Sequence, residues 1–276
     1  MNRYVFKYVS FLACTVACGC SAGPSSSRSS KVESPSVAKP ENALPTPTGS
    51  NPKGGSWPDL SVLTSYPNKW GNTCTMDGTT GSGHSESGQK AIDNEHKNRF
   101  VPPNAVQSMK LSQVMALAPA GDGPDQERGI ILSGFVRSVA PGGSEGETCN
   151  CQETTPALCD AHIELVLDPN NTASTGQGVV IVEVTERSRR LAAQGLLPSN
   201  IGTDWSTNHL KDPRTGILHK WVTFRGWLFF DLDHLNESWS YDPRDTIGKA
   251  NWRQTCWEMH PVMAIQVQPG RPADAG

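Results

Sequence analysis

Apolar and polar side chains alternate most regularly over residues 220–234, Lys-Trp-Val-Thr-Phe-Arg-Gly-Trp-Leu-Phe-Phe-Asp-Leu-Asp-His. Val222, Phe224, Leu228, Phe230 and Leu232 share one parity, with Gly226 among them; Trp221, Thr223, Arg225, Trp227, Phe229, Asp231 and Asp233 share the other. Successive strand side chains point to opposite faces, so the pattern predicts a long strand with an aliphatic face and an aromatic-plus-Arg face. Gly226 in its middle predicts a bulge or bend. The second face is either a stacking platform or a surface covered by the N-terminal half of the chain, and cover is the favoured reading because that half needs something to pack on.

The same analysis places further elements around this strand. Residues 129–139 are apolar and β-branched and stop at Pro141-Gly142-Gly143. Residues 162–167 alternate Ile163, Leu165 and Leu167 against His162, Glu164 and Val166, then turn at Asp168-Pro169-Asn170-Asn171. Residues 179–184 form a third strand. Thr185 caps a helix over residues 186–197 that Pro198 closes. The last strand, 255–267, puts Trp257, Met259, Met263, Ile265 and Val267 on one face. Upstream, residues 89–100 fit a short polar helix stopped by Pro102-Pro103, and the apolar spacing over 108–117 suits a second helix or a covering strand.

The order strand, strand, strand, helix, strand, strand resembles the OB-fold, the small Greek-key barrel of oligonucleotide- and oligosaccharide-binding domains. The resemblance covers residues 129–268 and implies a mainly β architecture: an OB-like five-stranded Greek-key barrel (β-β-β-α-β-β) with an N-terminal covering segment. The domain boundaries follow as a signal segment 1–20, a Ser/Pro-rich tether 21–55, the covering segment 56–125 and the barrel 126–270. The tether has almost no large apolar residues and cannot bury enough surface to offset chain entropy. The ending Trp-Glu-Met-His-Pro-Val, residues 257–262, looks like that of uncharacterised secreted bacterial proteins.

The first twenty residues change the picture of where the protein works. Arg3 and Lys7 precede the short apolar run 11–17, which is too short to span a bilayer and ends in Ala17-Cys18-Gly19-Cys20. Small residues before a cysteine resemble the lipobox of bacterial lipoproteins, although Leu is missing from the third position before the cysteine. That resemblance implies a lipid on Cys20, with Cys18 as the second choice, and a cell-envelope protein held to the membrane by its N-terminal anchor. Ser21 after the cysteine resembles the outer-membrane sorting class.

Of 276 residues, 18% are charged and the formal net charge is -3, which argues against nucleic acid as the main partner. Arg187, Arg189 and Arg190 read as a solvated helix face, and His84 and His96 as surface histidines. The Gly-rich run 78–83 lacks the Gly-Lys-Ser/Thr ending of a phosphate loop, and no nucleophile elbow or His-Glu-x-x-His pattern occurs.

In an OB barrel the loop between strands one and two and the loop between strands four and five lie at one pole. This brings together His162, Asp231, Asp233, His234 and His260 as candidate ligands of a divalent metal such as zinc, with Glu258 as a general base. The competing reading is that each histidine closes a strand end. Trp239, Tyr241 and Trp252, with Glu258, are the candidate ligand-binding residues at this mouth. Export favours disulfides among Cys74, Cys149, Cys151, Cys159 and Cys256: Cys149 or Cys151 to Cys159, and Cys74 to the other or to Cys256. The alternative is a zinc site through Cys149, Cys151, Cys159 and His162. The expected function is a lipid-anchored binding or interaction module for oligosaccharide or protein, with a metal-dependent hydrolase, phosphodiesterase- or nuclease-like, as the rival.

Overall fold

A computed structural model describes residues 69–70, 74–75, 93, 95–99, 103, 105–118, 124–142, 149, 159–172, 176–240 and 251–276. Short strands β1 (Lys69–Trp70) and β2 (Cys74–Thr75) pair antiparallel. Then follow β3 (Val106–Met109), α1 (Leu111–Met115), β4 (Gly129–Pro141), β5 (Ala161–Val166), β6 (Val180–Val184), α2 (Glu186–Ala193), α3 (Thr207–Leu210), β7 (Trp221–Phe230) and β8 (Trp257–Val267). The spacing over 108–117, which fitted either a helix or a strand, yields one of each: β3 and then α1.

Five strands close a barrel in the order β4-β5-β6-β8-β7, with β7 pairing back to β4. The β6–β8 pairing is parallel and the other four barrel pairings are antiparallel. Helix α2 sits between the third and fourth barrel strands. The fold is therefore mainly β, an OB-like closed five-stranded mixed barrel, and β3 adds a sixth strand parallel to β4.

Burial along each strand separates the barrel core from the outer wall. In β7, Val222, Phe224, Leu228 and Phe230 are buried while Trp221, Thr223, Arg225 and Trp227 are half-buried, as the alternation predicts. In β5, Ala161, Ile163 and Leu165 are sealed in the core while His162 and Glu164 face outward. The outer wall of β7 is covered from upstream. Arg99 stacks its guanidinium 4.4 Å over Trp227, and the Lys97 ammonium lies 5.7 Å from the Phe229 ring.

Several boundaries move. β7 ends at Phe230 rather than His234, because the Asp231 carboxylate accepts the Asp233 amide and starts a 3₁₀ turn over Leu232–Glu237. Helix α2 begins at the Thr185 cap, whose hydroxyl accepts the Ser188 amide, but stops at Ala193, with Gly195 at φ 72° just beyond. The arginines of α2 are not a solvated face. Arg187 is fully buried and donates to the Asn98 carbonyl, Arg189 donates to the Cys159 carbonyl, and only Arg190, paired with Glu186, stays largely in solvent. His96 is half-buried between Gln126 and Glu127; His84 lies outside the described residues.

The expected disulfides do not form among the described cysteines. Cys149, Cys159 and Cys256 are buried, and the Cys256 thiol donates to the Ser238 hydroxyl. Burial pushes the Cys256 thiol up to about 12 despite that bond, so it stays protonated. The Cys74 side chain and Cys151 lie outside the described residues, as does Cys20.

Gly226 marks the register irregularity between β7 and β8. A Cβ there would drive into the Pro261 carbonyl and the Met259 side chain. Gly226→Ala is expected to cost about 1–3 kcal/mol through overpacking. Chemical denaturation measures it, and an unchanged midpoint would contradict the close approach.

Candidate functional site

Strand register assembles a polar cluster in an otherwise apolar wall. His162 of β5 is the direct cross-strand partner of Glu183 of β6, so both point to the outer face. Val182 registers with Met259 of β8, which brings Glu258 and His260 to the Glu183 side of the sheet. Asp160, two residues before His162, joins the same row. Its carboxylate rests on Gly142, where any Cβ would collide with it.

The side chains form a continuous chain of alternating charge. His162 Nε2 lies 2.9 Å from Asp160 Oδ2 and 3.2 Å from Glu183 Oε1. The other oxygen of Glu183 is 3.0 Å from His260 Nδ1, which is also 3.1 Å from Glu258 Oε1. Glu258 Oε2 accepts from Arg253 Nη1 at 2.8 Å, and the same nitrogen donates to Asp231 at 3.2 Å. Asp231 in turn bonds His234 Nδ1 and lies 3.9 Å from the Lys97 ammonium. His234 Nε2 is 3.7 Å from Glu237, which accepts the Trp252 indole N–H at 2.7 Å. Trp252 stacks on His162 at 5.9 Å, meets His234 edge-on and carries the Arg253 guanidinium at 4.0 Å. The chain thus returns to its start.

This geometry sorts the candidate residues. His162 and His260 come together through Glu183, on the outer wall. Asp231 and His234 belong to a neighbouring group organised by Arg253 and Lys97, and Asp233 is exposed on the 3₁₀ turn. The five expected metal ligands therefore do not form one set. Among the described residues, two triads have ligand atoms close enough for an ion: Asp160, His162 and Glu183; and Glu183, Glu258 and His260. Neither contains a cysteine; the expected zinc site through Cys149, Cys151, Cys159 and His162 includes Cys151, which lies outside the described residues, and the Cys149 side chain hydrogen-bonds with His260. Glu258 is buried and held by Arg253 and His260, so it is not an exposed ligand contact. The Trp239 indole N–H donates to the Asn251 carbonyl. Tyr241 is outside the described residues.

Glu183 and Arg253 are the functional-class residues that sequence reasoning missed. A carboxylate inside Val-Ile-Val-Glu-Val was the available signal for Glu183, because an ionised group in an apolar strand requires a partner. Arg253 lies in a loop with no periodicity to expose it.

Burial opposes charge on each histidine, but the carboxylates outweigh it. Glu183 and then Asp160 raise His162 to about 9, Glu183, Cys149 and Glu258 raise His260 well above the ordinary value, and Asp231 raises His234. Burial would also raise Asp231, yet Lys97, His234 and Arg253 hold it far below the usual carboxylate range. Burial, Glu183 and Asp231 push Glu258 up despite Arg253. Beside the cluster lies a cavity of about 430 Å³ lined by Phe135, Arg137, Glu164, Asn171, His219 and Trp252, among others. Phe135 stacks on His219 at 6.5 Å, and Arg137 pairs with Glu164 at 2.9 Å.

Compared with protein families, curated proteins and solved structures, the chain matches none.

Two predictions follow from the charges. Arg253→Ala leaves Asp231 and Glu258 buried without their shared cation and is expected to cost about 3–5 kcal/mol in denaturant titrations, whereas Arg253→Met with Asp231→Asn and Glu258→Gln recovers part of that loss. A histidine whose pKa is higher folded than unfolded stabilises the fold fully below about 6.5 and loses that contribution as pH rises through its folded value. In chelator-treated protein, Tm is therefore expected to fall between pH 7 and pH 10, and His162→Gln flattens the fall. A flat wild-type profile would contradict the ion pairs.

Proposed function

We propose that the protein is a lipid-anchored cell-envelope protein whose OB-like barrel binds an oligosaccharide in the groove between β4, β5 and Trp252. The observation that carries this reading is the cavity itself. It combines aromatic surfaces from Trp252 and the Phe135–His219 stack with the fixed hydrogen-bonding groups of Arg137, Glu164 and Asn171. Apolar walls with a few oriented polar groups are the ordinary composition of a small-molecule site. Sugars suit it because a pyranose offers an apolar face for stacking and hydroxyls for such forks. OB barrels take ligands on the outer face of the second and third strands and the adjoining loops, and the cavity borders that surface through Glu164 of β5 and Trp252 of the loop before β8. Fold likeness alone does not assign function, so the site chemistry supports the proposal and the fold only locates it.

The anchor rests on Cys20 and its flanking residues. No helix among the described residues is long and apolar enough to cross a membrane. The rival hydrolase reading is favoured by the His/carboxylate triads and stands or falls with a bound metal ion.

Full-length protein in detergent micelles, titrated with soluble envelope glycan fragments, is expected to change its tryptophan fluorescence on binding. Arg137→Ala and Trp252→Ala are each expected to weaken binding by about tenfold or more, the scale of losing one or two good contacts. Binding unaffected by both substitutions would overturn the groove assignment. Metabolic labelling with an alkyne fatty acid tests the anchor: label is expected in the wild type and lost in Cys20→Ser, and an unlabelled wild type would contradict it.

A further inference from the structure

We propose that Asp160, His162 and Glu183 bind a divalent transition-metal ion, with His260 as the outer partner that holds Glu183 in place. The first ground is geometric. His162 Nε2 stands 2.9 Å and 3.2 Å from one oxygen of Asp160 and one of Glu183. Ligand atoms bound about 2.0–2.2 Å from a common ion lie about 2.8–3.6 Å apart, the edges of an octahedron or tetrahedron. His162 Nε2 therefore already stands near that spacing from both oxygens, and all three ligand atoms lie within 4.8 Å of one another.

The second ground is that these positions are fixed from outside the triad. Glu183 presents Oε1 to His162 while its Oε2 is 3.0 Å from His260 Nδ1. An imidazole N–H on the distal oxygen of a ligating carboxylate is how metal sites orient and tune their ligands. Asp160 is set by Gly142, which leaves room for the carboxylate and donates its amide to the Asp160 carbonyl at 2.8 Å.

Fixed cations approach both triads. Arg253 bonds Glu258 and Asp231, and Lys97 lies against Asp231, so the fixed cations flank the Glu258 side. Arg189 is near enough to Asp160 to feel its charge, and Arg253 acts on His162, so the favoured triad is not free of cations. What distinguishes it is access. His162 keeps 20% of its side chain exposed, whereas the Glu258 and His260 side chains are at 0% and 1%. The first triad is therefore the less enclosed of the two, its opening lying on the His162 side because Asp160 and Glu183 are at 0% and 5%. One imidazole with two carboxylates suits Zn²⁺, Mn²⁺ or Fe²⁺ better than Ca²⁺, whose sites are built of oxygen alone. On binding, the ion replaces the proton that His162 otherwise shares with the two carboxylates, and that proton leaves to solvent.

The test uses full-length protein in micelles, stripped with a chelator and titrated with Zn²⁺, with Co²⁺ as a spectroscopic probe. One equivalent retained through gel filtration is expected, with visible Co²⁺ absorption reporting the coordination. His162→Gln and Glu183→Gln are expected to abolish retention. His234→Gln, which lies in the neighbouring group, is expected to keep it. Thermal unfolding of each variant separates lost binding from lost fold, and His162→Gln, at the part-exposed position, is the variant that keeps the test decisive should Glu183→Gln unfold. Failure of the wild type to retain Zn²⁺ or Co²⁺ would overturn the assignment and leave a metal-free cluster; retention unchanged in His162→Gln would overturn it by placing the ion elsewhere.

Discussion

Burying Glu183 near the end of β6 is the constraint from which the rest of the outer wall follows. An ionised carboxylate removed from water costs several kcal/mol even after relaxation, and its partners must repay that within the same dry volume. Both oxygens meet imidazoles, and each imidazole meets a second carboxylate. The requirement passes outward to Glu258, then Arg253, then Asp231, until it reaches Lys97 and the part-exposed His234. No pair in the series is satisfied alone.

That propagation ties together parts of the chain that share little apolar surface. β5 and β6 supply His162 and Glu183, β8 supplies Glu258 and His260, the loop before β8 supplies Arg253, and the helical residues 95–97 supply Lys97. Loops normally contribute little to stability, yet here one of them brings the central cation. Trp252 extends the linkage: one indole stacks on His162, reaches Glu237 and forms a wall of the neighbouring cavity. Occupancy of the cavity and the state of the cluster therefore meet in a single side chain.

Much of this was legible in the chain. The parity of residues 222–230, the Thr185 cap and Gly226 gave the barrel strands, the helix between them and the β7 irregularity, because local pattern and tertiary burial agree there. The candidate histidines His162 and His260 were visible as polar residues at strand positions. The OB likeness grouped them at one pole with Asp231, Asp233 and His234, but not their linkage through Glu183, because that depends on the His162–Glu183 and Val182–Met259 register, which periodicity within one strand cannot supply. Asp231 and His234 looked equivalent to them until the strand ended at Phe230 and the 3₁₀ turn carried them toward Arg253. The cysteines misled for a different reason. Export favours disulfides in general, but Cys149, Cys159 and Cys256 serve here as small buried side chains.

The imidazole ¹⁵N resonances of His162 in chelator-treated protein, followed from pH 6 to pH 10, test the central claim most directly. If Glu183 and Asp160 are its counter-charges, the ring is an imidazolium at neutral pH and titrates near 9. A neutral ring at pH 7.5, titrating near the ordinary value of about 6.5, would show that the carboxylates are not paired through it and would undo the account of the cluster.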